Sequence, residues 1–505
     1  MGGYNFPDNV TIIGVLILSM KNQVQLITYP DSFGGDLKAL NQILEELFSD
    51  CFGGIHILPP FPSTADRGFA PRDYFKIDSQ FGNWNDIQQL SHKFTIILDF
   101  MVNHISRHSL YFQDFQKYGR KSVHADMFIT LDKIWKDGKP LEVDLSKIFL
   151  RRPNYPFIDV NIETDGVERL WATFGSADWS EQIDLDVNSP MTRNFIAELA
   201  DFFSQRGVSA VRLDAVAYVI KKAGTSCFFV QPEIYEFLSW IQQQFAQVGI
   251  NLLLEVHTHP DLQLEIASHG YQVYNFVLPL LVLHTILKHD CTALRNHLKQ
   301  APQSQVTMLD CHDGIPVQPD IQSVLSVAEA RIIVEICEQR GANLSRIYSK
   351  KHLSDPTFDT HQINITYFSA LNHDDDAYII ARAIQFFTPG TPQVYYVGLL
   401  AGENTPEEII KTGEKRAINR HNYSEKEIRL ALEKPVVQRL LKLIRFRNSY
   451  PAFNGRFHIE ETSPSTLSMS WVDKTQQCEL QVNLDEMNCC ITYKDQDGNL
   501  IEYLP

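Results

Sequence analysis

The sequence predicts an α/β fold, a (β/α)8 barrel with two inserted subdomains at its carboxyl face and a small C-terminal antiparallel β domain. Three observations lead there. Eight short apolar, β-branched runs alternate with helix-like segments. Two of the intervals between runs are too long for a simple crossover. Past residue 453 the pattern changes to short alternating runs, as in an antiparallel sheet.

The strand candidates, in chain order, are 24–29, 54–58, 95–100, 208–214, 252–255, 273–277, 306–310 and 393–397. Runs that are apolar throughout are buried on both faces, as in a parallel sheet covered by helices. Helix candidates between them include 37–48, 194–205, 233–246 and 377–387. From His104 to Val208 about 100 residues intervene, and from Asp313 to the helix before the eighth strand about 60; intervals of that length carry structure of their own. Both begin at the carboxyl end of a strand, the face where barrel enzymes keep their active sites. The expected boundaries are 20–104, 189–313 and 374–452 for the barrel, 105–188 and 314–373 for the insertions, and 453–505 for the β domain. Residues 1–19 are expected to be an extension outside the fold. Their apolar run, 12–18, is too short to span a bilayer and has no preceding Lys or Arg, as a secretory leader would.

The composition is globular, with 44% hydrophobic and 21% charged residues, which excludes disordered, collagen-like and coiled-coil readings. Lys and Arg total 45 against 61 Asp and Glu, a net charge of −16, so nucleic acid is not an expected partner. No membrane partner is expected either. The eight cysteines form no C-x-x-C pair and no zinc-spaced cluster; they read as reduced thiols of a cytoplasmic protein. No calcium loop and no G-x-G-x-x-G fingerprint is present. The run Asp374-Asp375-Asp376 reads as a helix start, and Lys221-Lys222 as a solvated pair or a draw for anions.

Carboxylates at strand ends are the strongest chemical signal, because side chains there point into the barrel mouth from a rigid backbone. Asp214 ends the fourth run, Glu255 ends the fifth, and Asp313 follows the seventh. Arg212 lies two residues before Asp214, on the same face of its strand, where it would keep that carboxylate ionised.

With these residues in place, the chain resembles the α-amylase superfamily of glycoside hydrolases and transglycosylases, glycoside hydrolase family 13. The blocks that carry the resemblance are 99–104 (DFMVNH), 211–215 (VRLDA), 254–257 (LEVH) and 309–313 (LDCHD). Further blocks at 21–29, 224–229, 312–315, 385–389, 392–398 and 418–421 are similar to the sucrose phosphorylase group, from about Met20 to the end. The resemblance implies retention through a covalent glucosyl intermediate, with two carboxyl groups roughly 5–5.5 Å apart. It implies Asp214 as nucleophile, Glu255 as general acid/base and Asp313 as stabiliser of the distorted sugar. His104 and His312 would bind glucosyl hydroxyls, Asp66 and Arg420 would clamp the far side of the ring, and Phe69 and Phe174 would form an apolar wall.

The acceptor half is implied in the same way: Arg152 for phosphate, and Tyr218, His257, Asp359 and Gln362 for further contacts. In this group, plain sucrose phosphorylases carry Tyr where this chain has His361 and Pro where it has Arg151, whereas members acting on sucrose 6F-phosphate carry His and Arg. The expected reaction is therefore phosphorolysis of sucrose 6F-phosphate to α-glucose 1-phosphate and fructose 6-phosphate, with no metal and no cofactor, by a monomer or homodimer. The alternatives are a sucrose or glucosylglycerol phosphorylase, a sucrose hydrolase, and a non-catalytic binding subunit.

Overall fold

The computed structural model describes residues 21–505 except 165, 176, 177, 179, 351, 352, 354, 496 and 497, so the expectation for 1–19 lies outside the described residues. Eight parallel strands close into a barrel: β1 (Gln25–Thr28), β2 (Gly54–Ile57), β3 (Thr95–Met101), β4 (Val208–Asp214), β5 (Asn251–Leu254), β6 (Gln272–Tyr274), β7 (Gln305–Thr307) and β8 (Thr391–Tyr395). Each pairs with its neighbours in sequence, and β8 closes on β1 with Leu26 opposite Val394. All eight correspond to the eight apolar runs. β6 and β7 are shorter than their runs; just past β6 Asn275 N still donates to Val306 O at 2.9 Å while its Oδ1 accepts from Leu278 N, and past β7 Asp310 pairs with Arg382.

The helices bury one face against this sheet. The helix Pro190–Gln205 begins four residues before the apolar pattern does, because Ser189 caps it, its hydroxyl accepting from Met191 and Thr192 N–H groups, and Pro190 occupies the first turn. Its inward side chains Phe195, Ile196, Leu199 and Phe203 are buried, each contributing about 1.5–3 kcal/mol. Asp374 caps the helix Asp375–Phe387 by accepting from Ala377 N at 2.9 Å, so the acidic run is the expected helix start.

The two long intervals hold structure at the carboxyl face. The first contains the antiparallel pair Phe157–Ile162 and Gly166–Trp171 and a small core of its own, in which Trp135 stacks on Trp171 at 6.0 Å. The second contains the helix Val327–Gln339 and a three-stranded sheet in the order Ile315–Pro316, Thr360–Asn364, Asn343–Arg346. The chain ends in a five-stranded antiparallel sheet: β9 (Arg456–Ile459), β10 (Thr466–Asp473), β11 (Gln476–Asn483), β12 (Asn488–Lys494) and β13 (Leu500–Tyr503). It is tied to the barrel by Trp471 Nε1, which donates to Phe387 O at 2.8 Å.

Candidate active site

β3, β4 and β5 assemble the charged floor of the barrel mouth. Their register sets Asp99 opposite Arg212 and Met101 opposite Asp214, and strand alternation turns Arg212 and Asp214 to one face. Arg212 is buried and shared: Nη1 donates to Asp99 and, at 2.9 Å, to Asp214 Oδ1, while Nη2 lies 3.2 Å from Glu255 Oε1. Burial works against the charge on Asp99, but His56, 2.8 Å away, and Arg212 hold its carboxyl below the usual range. Ala215, directly after Asp214, adopts a φ of 54°, a strained conformation for a residue with a Cβ, and its N–H donates to Glu255 Oε2 at 2.8 Å.

Burial and then the neighbouring Glu255 push Asp214 well above the usual carboxylate range, with Arg212 opposing them. Asp214 and Glu255 share Arg212, so the proton affinity of Asp214 depends on the charge beside it. A pair with one ionised and one protonated member is what double displacement at a sugar carbon requires.

On one side of the pair stands a wall suited to a sugar ring. His312 stacks on Phe69 at 5.0 Å and 8°, and His104 Nε2 lies 3.0 Å from Phe69 O. Burial lowers both imidazoles, His312 to about 3, so both are neutral hydrogen-bonding groups. Burial works against the charge on Asp313, but Arg416, His312 and Arg420 hold its carboxyl far below the usual range. Arg420 Nε donates to His312 O at 2.8 Å and its Nη2 lies 3.8 Å from Asp313. Asp66 is exposed to the same opening, within the field of Arg416 and Arg420. Its backbone has a φ of 50°, and Gly68 two residues on has a φ of 110° and no room for a Cβ, which would meet Pro59 O at 2.6 Å.

On the other side, the two insertions meet. Arg151 from the first donates through Nη1 to His361 Nε2 of the second at 2.9 Å, and its guanidinium lies 5.9 Å from the Phe174 ring. Phe174 packs edge-on to Tyr218 at 5.1 Å, and tilted against His104 at 5.3 Å. Burial pushes the Tyr218 hydroxyl up to about 12, so it stays a donor. Glu255, His257 and Asp313 each present an atom within 4.8 Å of the others, which places the acid/base candidate between the two halves. Gln362 Oε1 accepts from Arg416 Nη2 at 2.9 Å.

Several expected residues are placed differently. Arg152 is turned inward, 2% exposed, and donates to Tyr155 O and Phe157 O, so of the dibasic step it is Arg151 that reaches His361 of the second insertion. Asp359, expected as an acceptor contact, pairs within the second insertion with Arg346 at 2.7 Å and Lys350 at 2.6 Å. Lys221 is not solvated; its ammonium is enclosed with Asp184 at 2.7 Å and Asn103 Oδ1 at 2.8 Å, while Lys222 pairs with Glu233 at the surface. His361 supplies no charge: burial, then Arg151 and His257, hold it far below the usual histidine range. Its Nδ1–H donates to Gln318 O at 2.7 Å, so Nε2 is left as an acceptor for Arg151.

Three residues of the site escaped the sequence reading. Arg416 lies 2.6 Å from Asp313 Oδ1, and its place four residues before Arg420 was the available signal. Tyr29 lies edge-on to His312 at 6.1 Å and under Arg67 at 4.1 Å. Asp320 pairs with His257 at 3.2 Å from within the second insertion.

The alpha-amylase family profile, described as the alpha amylase catalytic domain, matches residues 11–263. The chain is 57% identical over 488 residues to a sucrose 6(F)-phosphate phosphorylase of Thermoanaerobacterium thermosaccharolyticum, covering 96% of this chain and all of that one. It is 42% identical to a sucrose phosphorylase of Streptococcus mutans, covering 94% and 98% of the two chains. It is 40% identical to a glucosylglycerol phosphorylase of Marinobacter adhaerens, covering 96% and 99%. Among solved structures, a sucrose 6F-phosphate phosphorylase from Thermoanaerobacter thermosaccharolyticum superposes with a TM-score of 0.95 at 56% identity, over 97% of this chain and all of that one.

Proposed function

We propose a function from one premise: the chain belongs to the α-amylase family of catalytic barrels. It is a retaining glucosyl phosphorylase that converts sucrose 6F-phosphate and inorganic phosphate to α-glucose 1-phosphate and fructose 6-phosphate. Asp214 attacks the anomeric carbon while Glu255 gives its proton to the departing fructosyl oxygen, leaving glucose bonded to Asp214. Phosphate then enters where the fructose 6-phosphate left and its oxygen attacks the same carbon. Glu255 takes up the proton that this phosphate carries, and Asp214 is released as a carboxylate. Asp313 faces the positive charge that develops on the ring in both steps, and its ionised state at any working pH suits that role.

One observation carries the choice of substrate. Arg151 is held in the acceptor half by a neutral His361, and a guanidinium fork so oriented suits a sugar phosphate dianion, which neutral fructose does not require. The eight cysteines are all unpaired, which supports the cytoplasmic reading, and no described helix is long and apolar enough to cross a membrane.

Steady-state assays of glucose 1-phosphate formation test the reading. The 6F-phosphate is expected to give the higher kcat/KM, and Arg151→Ala to lower it by about 10- to 150-fold, the worth of a charge-assisted hydrogen bond, with little change for plain sucrose. A higher kcat/KM for sucrose in the parent enzyme would sink the assignment. Glucose release at one rate with and without phosphate would instead make the chain a hydrolase.

A further inference from the structure

His257 follows Glu255 by two residues and stands beside it at the boundary between the two halves of the site. Its ring stacks on Phe276 at 3.8 Å and 20°, which fixes its plane. One nitrogen, Nε2, lies 3.6 Å from Glu255 Oε1, and the other, Nδ1, lies 3.2 Å from Asp320 Oδ2. Asp320 is wholly buried in the second insertion, and its other oxygen accepts from Gln263 Nε2 at 3.2 Å, a residue of the helix Pro260–Ser268. A buried carboxylate is retained only where charge and hydrogen bonds compensate it, and an imidazole ring and an amide stand against it here.

We propose that Asp320 is a positioning residue, which fixes the ring of His257 through Nδ1 so that Nε2–H is directed at the phosphate that intercepts the glucosyl enzyme. This rests on the phosphorylase reading above. The groups facing His257 are Asp320, Glu255 and Asp313, whose charges favour its protonated form, together with the neutral His361 at 5.7 Å. Burial opposes protonation, but Asp320 and then Glu255 outweigh it and raise His257 above the ordinary histidine value. Removing the Asp320 charge therefore lets the imidazolium lose its proton at lower pH. Phosphate binding that depends on it must fail at lower pH as well.

The test is Asp320→Asn, with kcat/KM for phosphate followed from about pH 5 to 8.5. The variant is expected to raise KM for phosphate about tenfold at pH 7 and to move the alkaline limb down by about one pH unit, the size of a lost buried charge partner. Its rate of forming the glucosyl enzyme, read as fructose 6-phosphate released in a first turnover without phosphate, is expected to fall by less than its kcat/KM for phosphate does. An unmoved limb in a folded variant, or an equal fall in both half-reactions, overturns the proposal. Should the variant not fold, nitrogen-labelled histidine NMR on the parent decides, with the His257 signal assigned through His257→Gln. Both ring nitrogens are expected to be protonated at pH 6.5, and a neutral ring there overturns it. A parent that phosphorolyses no glucoside would refute the function itself, a result distinct from either.

Discussion

Asp214→Ala is expected to lower kcat for phosphorolysis by about 10^4- to 10^6-fold, the range seen when a nucleophile of a covalent mechanism is removed. In the proposed mechanism the carboxylate supplies the oxygen of the first bond formed, so no arrangement of the remaining groups replaces it. The same change is expected to leave thermal stability unchanged or higher. Burial and Glu255 raise Asp214 in the folded state above its unfolded value, so the folded state binds the proton more tightly. For an acid so shifted, stability falls as pH rises from the unfolded value towards the folded one, and at neutral pH the group opposes folding. Removing it leaves Arg212 with Asp99 and Glu255 as partners. Glucose 1-phosphate release and a melting curve at pH 7 check both halves; a clear fall in Tm would show that Asp214 is chiefly structural.

The second large effect falls on stability. Arg382 is fully buried on the helix Asp375–Phe387 and donates to both oxygens of Asp310 at 2.8 Å, to the Tyr378 hydroxyl at 2.7 Å and to Gln385 Oε1 at 2.9 Å. Nothing larger than Gly398 fits against the pair, since a Cβ there would meet Asp310 Oδ2 at 2.0 Å. Arg382→Ala leaves an unpaired buried carboxylate and is expected to cost about 3–5 kcal/mol of unfolding free energy. Replacing both partners by apolar residues, Arg382→Met with Asp310→Leu, is expected to recover most of that loss, because no charge is then stranded. Urea denaturation of the parent and the two variants measures it. Equal losses for the single and double replacements would show that packing, not the unpaired charge, dominates. Asp310 lies three residues before Asp313, so Arg382→Ala is also expected to lower activity below the unfolding transition.

The barrel strands were legible in the sequence because each lies on a short, mostly apolar run, and a strand buried on both faces needs no knowledge of its neighbours. The carboxylates of the site were legible for the same reason. Asp214 and Glu255 end their runs, and the end of a barrel strand points into the mouth whatever surrounds it. Helix starts were less so: the helix at Pro190 begins on a cap and a proline rather than on the apolar period.

What the sequence alone determined, then, is the barrel, its insertions and the carboxylates that floor the pocket, all set by short-range pattern. Only the tertiary structure decided which polar side chains serve that pocket. Arg151 and Arg152 are adjacent, yet one reaches His361, 210 positions away, and the other turns inward and donates to the carbonyls of Tyr155 and Phe157. Lys221 is enclosed by Asp184 and Asn103, Asp359 is taken by Arg346 and Lys350, and Arg416 enters the donor half against Asp313. A charged side chain goes to whichever partner compensates its burial, and the fold brings those partners together from insertions far apart in sequence.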